Sequence, residues 1–152
     1  PLTADGARVE ALLTWRESVS SAVAARRGAK LSEDISIPVD RLGEAIERAV
    51  EIGRRHELEA CSWGHAGDGN IHASFLVSPE HPDELRRAHR AAVELFDLAI
   101  ALEGSISGEH GLGVLKNGHL RRQWAPRAVA LHGQVKSIFD PKGLLNPGKK
   151  LP

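Results

Sequence analysis

Cysteine is nearly absent: Cys61 is the one thiol in 152 residues. A single thiol excludes an internal disulfide, so nothing asks for an oxidising compartment, and the cytoplasm is the expected location. Methionine and tyrosine are missing and the chain opens on Pro1, which leads us to expect a piece of a longer polypeptide. Aromatic residues make up only 4%, so neither base stacking nor an aromatic cage is expected. Charge of one sign is lacking too, with 20 Lys and Arg against 20 Asp and Glu. The basic pairs Arg26-Arg27, Arg54-Arg55, Arg86-Arg87, Arg121-Arg122 and Lys149-Lys150 never extend into a run. That excludes a nucleic-acid groove, which needs a cationic face to release counterions. No apolar run approaches the roughly 20 residues of a membrane span, and no signal-peptide layout opens the chain, so no transmembrane segment is expected.

What remains is the composition of a globular domain, 41% hydrophobic and 26% charged, long enough to bury roughly 70% of its unfolded surface. We read residues 1–152 as one domain. Val9, Leu12, Leu13, Val19, Ala22 and Val23 recur at spacings of three and four, predicting a helix from Ala7 to Ala25 with one buried stripe, ended by Gly28. Ile35 to Val39 alternates weakly into Pro38 and reads as a short edge strand or extended linker. Asp40 is placed to cap a helix carrying Leu42, Ala45, Ile46, Ala49 and Val50. Leu58 to Trp63 and Ile71 to Val77 read as strands flanking Gly64-His65-Ala66-Gly67-Asp68-Gly69-Asn70, an antiparallel pair in which His72 and Ser74 share a face. Pro82 to Leu102 is the clearest helix, with Gly104 closing it. A helical pattern resumes around Val114 to Leu120, and a last helix begins at Pro126 and stops at Asp140-Pro141.

Eight histidines are present, and His65 and His72 flank the first glycine-rich loop. Imidazoles are the commonest metal ligands, so two on one hairpin could hold a divalent cation if a third ligand came from elsewhere; Glu109-His110, in the second glycine-rich loop, is the obvious source. The spacing alone leaves open the plainer reading, in which glycines make tight turns and the histidines bond the loop backbone. A phosphate cradle is disfavoured, because the loop lacks the Lys-Ser/Thr ending of a P-loop and carries Asp68. Cys61 lies in an apolar strand pattern and reads as an inert thiol. His56, His81, His89, His119 and His132 fall on helices or their ends as solvated or capping residues.

Three ordered stretches, Gly64-His65-Ala66-Gly67-Asp68-Gly69-Asn70-Ile71-His72, Gly104-Ser105-Ile106-Ser107-Gly108-Glu109-His110-Gly111-Leu112-Gly113 and Phe139-Asp140-Pro141-Lys142-Gly143-Leu144-Leu145-Asn146-Pro147-Gly148-Lys149, closely resemble the C-terminal domain of FAD-linked oxidases. This family includes the glycolate oxidase FAD-binding subunit, D-lactate dehydrogenases and D-2-hydroxyglutarate dehydrogenase. Glu33 to Leu42 resembles it as well, so the likeness runs from about Trp15 to the end.

The resemblance implies an α+β fold, a ferredoxin-like antiparallel sheet with helices packed on one face plus C-terminal helices, lying over the flavin of a separate FAD-binding domain absent here. It implies His65, His72 and Glu109 as ligands of a divalent metal, usually zinc, and His110 as the residue that takes the substrate hydroxyl proton. Arg16 matches an arginine that binds the substrate carboxylate, Ser20 a hydroxyl residue that assists it, and Lys30, more loosely, a carboxylate-binding lysine. Ser74 stands where dehydrogenases of the group carry Asn, which leaves the substrate open. The implied activity is hydride transfer from C2 of a 2-hydroxy acid to FAD, with metal-assisted deprotonation of the hydroxyl and an electron-acceptor protein or quinone as reoxidant. The competing expectation is a non-catalytic metal-binding or interaction module.

Overall fold

The computed structural model describes residues 5–149; Pro1 and Lys150, both remarked on above, lie outside them. The elements run α1 (Gly6–Ala25), β1 (Ala29–Ser36), α2 (Leu42–Arg55), β2 (Ala60–His65), β3 (Asn70–Val77), α3 (Pro82–Ala101), α4 (Leu120–Gln123) and α5 (Pro126–Phe139). The three strands form one antiparallel sheet in the order β1-β3-β2. The β1-α2-β2-β3-α3 succession is that of a ferredoxin-like unit whose next segment contributes one bridge to β1. Ser36 and Ser105 exchange backbone hydrogen bonds of 3.0 and 2.7 Å there.

Alternation divides the sheet into two unlike faces. Ile35, Ile71, Ala73, Phe75 and Val77 point toward α2 and α3, where Ala45, Ala49, Ile52, Ala88, Ala92, Leu95 and Ala99 meet them in a continuous core. Small residues at spacings of three and four let both helices approach the sheet closely. The opposite face carries Lys30, Ser32 and Asp34 on β1, His72 and Ser74 on β3, and Cys61 and Trp63 on β2. It is the polar face, and α1 lies over it.

The α+β class and the antiparallel hairpin stand as the sequence predicts, as does α3, with Pro82 in its first turn and Leu102 at its C-cap. Four local expectations need correction. Strand β1 begins at Ala29 rather than Ile35 and is a full edge strand; its outward run of Lys30, Ser32 and Asp34 hides the alternation. Asp40 caps nothing, because residues 39–41 form a 3₁₀ turn that leads straight into α2. The predicted stripe of α1 is not buried: Leu12 is 65% and Leu13 50% exposed. Arg16 and Ser20 fall inside that stripe, four residues apart and therefore on one face of the helix. Finally, Val114–Lys116 form turns rather than a helix, leaving only a 3₁₀ turn and α4. No helix among the described residues is long and apolar enough to cross a membrane.

Candidate functional site

The hairpin between β2 and β3 sets the geometry of the two histidines. Asp68 accepts the amide of Asn70 at 3.1 Å, Gly69 donates to the His65 carbonyl at 3.1 Å, and the Gly69 carbonyl accepts from Ile37 at 2.9 Å. The turn is thereby tied both to itself and to the end of β1. Gly69 has φ +80 and its missing Cβ would run into the Ile37 carbonyl oxygen, so this position requires glycine. His65 and His72 leave the hairpin with ring centroids 5.5 Å apart and nearly perpendicular.

Glu109 arrives from the connection after α3. Its Oε1 lies 3.4 Å from His65 Nε2 and 3.2 Å from His72 Nε2, and one donor atom from each residue falls within 4.8 Å of the others. Metal–ligand bonds of about 2.0–2.1 Å at a tetrahedral angle separate ligand atoms by about 3.4 Å, the spacing that Glu109 Oε1 keeps to each histidine nitrogen. Burial, reinforced by the neighbouring His110, pushes His72 below the ordinary imidazole pKa, against the pull of Glu109. The neutral ring is the form that ligates. His110 stacks on His72 with centroids 5.1 Å apart, and its Nε2 lies 3.9 Å from Glu109 Oε1. Its side chain is 56% exposed, so it stands at the rim of the ligand set, open to solvent.

A cleft of about 570 Å³ separates α1 from the hairpin, lined among others by Trp15, Arg16, Ser20, Trp63, His65 and His72. Arg16 Nη2 is 3.3 Å from His65 Nδ1. Lys30 Nζ donates to Ser20 Oγ at 2.8 Å and lies 4.2 Å over the Trp63 ring, a cation–π platform; burial lowers its pKa from the ordinary lysine value. The structure thus brings Arg16, Ser20 and Lys30 to the same side of the His-Glu cluster. Ser74 shares the strand face with His72 but is fully buried, its hydroxyl donating to Ser32 Oγ at 2.8 Å, and it does not line the cleft. Burial raises the Cys61 thiol, so it stays protonated and inert. Away from the cleft, His56 bonds Glu94 at 2.7 Å, His119 packs on Phe96 and His132 on Trp124.

Sequence reasoning missed three members of this neighbourhood. Trp63 supplies the platform for Lys30. Asp34 and Lys116, 0% and 3% exposed, form a buried ion pair beneath the Glu109 loop. Burial works to raise the Asp34 pKa, but backbone N–H donors and Lys116 outweigh it and hold the carboxyl below its ordinary value. The available signal was a carboxylate two residues from Ser32 and four from Lys30 on one strand, opposite His72.

Sheet, helices and cluster together define an α+β domain with a His₂Glu candidate metal centre beside a cleft that Arg16 lines. The chain belongs to the family described as FAD linked oxidases, C-terminal domain, whose model matches residues 1–150. It is 34% identical over 139 residues to glycolate oxidase subunit GlcD of Bacillus subtilis, covering 91% of this chain and 30% of that protein. To D-2-hydroxyglutarate dehydrogenase, mitochondrial, of Danio rerio it is 35% identical over 154 residues, covering 97% of this chain and 27% of the relative. To the probable mitochondrial D-lactate dehydrogenase of Danio rerio it is 35% identical over 132 residues, covering 86% and 27%. The chain spans under a third of the length of these relatives.

Proposed function

We propose that this chain is the substrate-domain portion of a flavin-dependent 2-hydroxy-acid dehydrogenase or oxidase of the glycolate, D-lactate or D-2-hydroxyglutarate type. FAD would be held mainly by a separate domain of the same polypeptide. The observation that carries the reading is the convergence of His65 and His72 Nε2 on one Glu109 oxygen, at 3.4 and 3.2 Å, beside a cleft whose other wall presents Arg16.

A divalent cation such as zinc, when bound, would supply the acidity that an α-hydroxyl needs to lose its proton, and FAD would supply the acceptor for the C2 hydrogen and its electron pair. His65, His72 and Glu109 would hold the cation, three protein donors being the set that catalytic sites use. Arg16 binds the substrate carboxylate through a charge-assisted pair, exchanging its contact with His65 for the stronger acceptor. Lys30, through Ser20, adds positive charge behind it, and fixing the carboxylate fixes which face of C2 is offered. His110, exposed and stacked on His72, takes the hydroxyl proton and releases it to solvent. Ser74, closed off against Ser32, leaves contact with the substrate to Arg16, Ser20 and Lys30.

The exposed apolar residues of α5 and the tail, among them Ile138, Phe139 and Leu144 at 72–79% exposure, are the surface we assign to the flavin domain. The reoxidant is an electron-acceptor protein or quinone, and the lone thiol favours the cytoplasm.

The test uses the intact flavoprotein. His65→Ala, His72→Ala and Glu109→Ala each lower metal content by elemental analysis, with affinity falling more than about a hundredfold, beyond the cost of removing a supporting residue. His110→Ala keeps the metal and slows flavin bleaching by D-2-hydroxy acids about 10²- to 10⁴-fold. Full metal content in the first three removes the ligand assignment. A flavin that no 2-hydroxy acid bleaches, in a protein that does hold metal, favours the non-catalytic module.

A further inference from the structure

The histidines of the candidate centre ride on a sheet, whereas residues 107–116 that bring Glu109 and His110 to them contain neither helix nor strand. Something else must hold that segment, and one buried carboxylate does. Asp34 Oδ2 accepts three successive backbone N–H groups, from Gly108 at 2.8 Å, Glu109 at 2.7 Å and His110 at 2.9 Å. Successive amides converging on one anion make a nest, and donors turned inward onto a buried carboxylate lose their partner when it is removed. Asp34 Oδ1 is occupied separately: it accepts Lys116 Nζ and lies 3.7 Å from His110 Nδ1. The same ammonium donates to the Asp34 carbonyl at 2.6 Å and lies 3.4 Å from Glu33, so it locks both the side chain and the open edge of β1.

Asp34 is also the register partner of His72 across the sheet. One cross-strand pair therefore carries a ligand on one strand and, on the other, the anchor of the loop that brings a second ligand to it. Gly108 lets the loop close over this point, since a Cβ there would collide with the Asn70 amide.

The geometry points to Asp34, clamped by Lys116, as a positioning residue that sets where Glu109 and His110 stand relative to His72. It touches neither substrate nor cation and acts through the loop backbone. The inference rests on the ligand reading above and deepens it.

The experiment is a double-mutant cycle on the intact flavoprotein, measuring zinc affinity by chelator competition and the visible spectrum of the cobalt(II) form. Asp34→Ala is expected to weaken zinc binding ten- to a hundredfold. Asp34→Asn, whose amide oxygen still accepts N–H groups, should lose less. Flavin content should stay at wild-type level in both. The cobalt(II) spectrum of Asp34→Ala should move to that of Glu109→Ala. In a Glu109→Ala background either substitution should cost little more, because the residue it acts through is gone. Should Asp34→Ala fail to fold, Asp34→Asn carries the same cycle. Equal fold-losses with and without Glu109 would identify a general structural role and overturn the proposal, as would unchanged affinity in Asp34→Ala. Unchanged affinity in Glu109→Ala itself instead overturns the ligand reading, so the two failures are told apart.

Discussion

The two faces of one three-stranded sheet are held by different physics. Toward α2 and α3 the contacts are mostly apolar, from Phe75 at 0% exposure to Leu95 and Ala99, also at 0%. Toward α1 the buried groups include Asp34, His72 and Ser74, each with a polar partner or a place in the candidate centre, beside one apolar residue, Leu76, and no side chain described in α1 is buried. One face supplies the free energy of folding, and the other uses it to hold ionisable groups that would not assemble alone. Adjacent positions on β3 should therefore respond very differently to the same truncation. Phe75→Ala is expected to cost about 3–5 kcal/mol in urea denaturation, the range for emptying a buried aromatic site. Ser74→Ala, one residue earlier and facing the other way, removes one hydrogen bond and should cost about 1 kcal/mol. Comparable losses at the two positions would show that the polar face carries fold stability as well.

The turn joining β2 to β3 offers a sharper version of the comparison, because it holds two glycines with opposite surroundings. Gly69→Ala must place a Cβ at φ +80 against the Ile37 carbonyl, combining a left-handed backbone penalty of about 1–2 kcal/mol with a steric one of about 1–3 kcal/mol. We expect a loss of about 2–5 kcal/mol and, in the intact flavoprotein, weaker metal binding, since the turn spaces His65 from His72. Gly67→Ala meets nothing within 4 Å at an ordinary φ and should be neutral in both readouts. A damaging Gly67→Ala would mean that the turn is constrained by something other than its tie to Ile37.

How much of this was legible in the chain follows the same division. The α2/α3 face was readable because its signals are periodic: Ala88, Ala92, Leu95, Phe96 and Ala99 recur at helical spacing behind Pro82, and Ile71, Ala73, Phe75 and Val77 alternate. The hairpin was readable from its turn residues, with Asp68 and Gly69 in the roles their chemistry favours. The polar face was not, because charged residues on a buried strand face look like a solvated loop; hence β1 was read six residues short and Asp34 was passed over. Glu109 was a candidate third ligand from its place in the second glycine-rich loop, and resemblance fixed its pairing with histidines some 40 residues away, since spacing along the chain says nothing about which loops meet. The α1 stripe misled because periodicity reports a face without saying what lies opposite it. Arg16 and Ser20, set inside that stripe, are residues that α1 turns toward the cleft.

The smallest expected effect tests what lies opposite the remaining apolar surface. Ile138 and Phe139 are 74% and 79% exposed, and α5 buries none of its residues. In this chain Ile138→Ser should therefore change stability by no more than about 0.5 kcal/mol, as for surface sites without partners. The intact flavoprotein should be less indifferent. If α5 docks on the flavin domain, removing an apolar side chain from that contact forfeits its burial, about 1.5–3 kcal/mol for a side chain of this size, and flavin should be lost at lower urea than in the unsubstituted protein. Equal, negligible effects in the two settings would place the flavin domain elsewhere. A large effect already present in this chain would show that α5 packs more tightly than its exposure indicates, and that stability extends beyond the α2/α3 face.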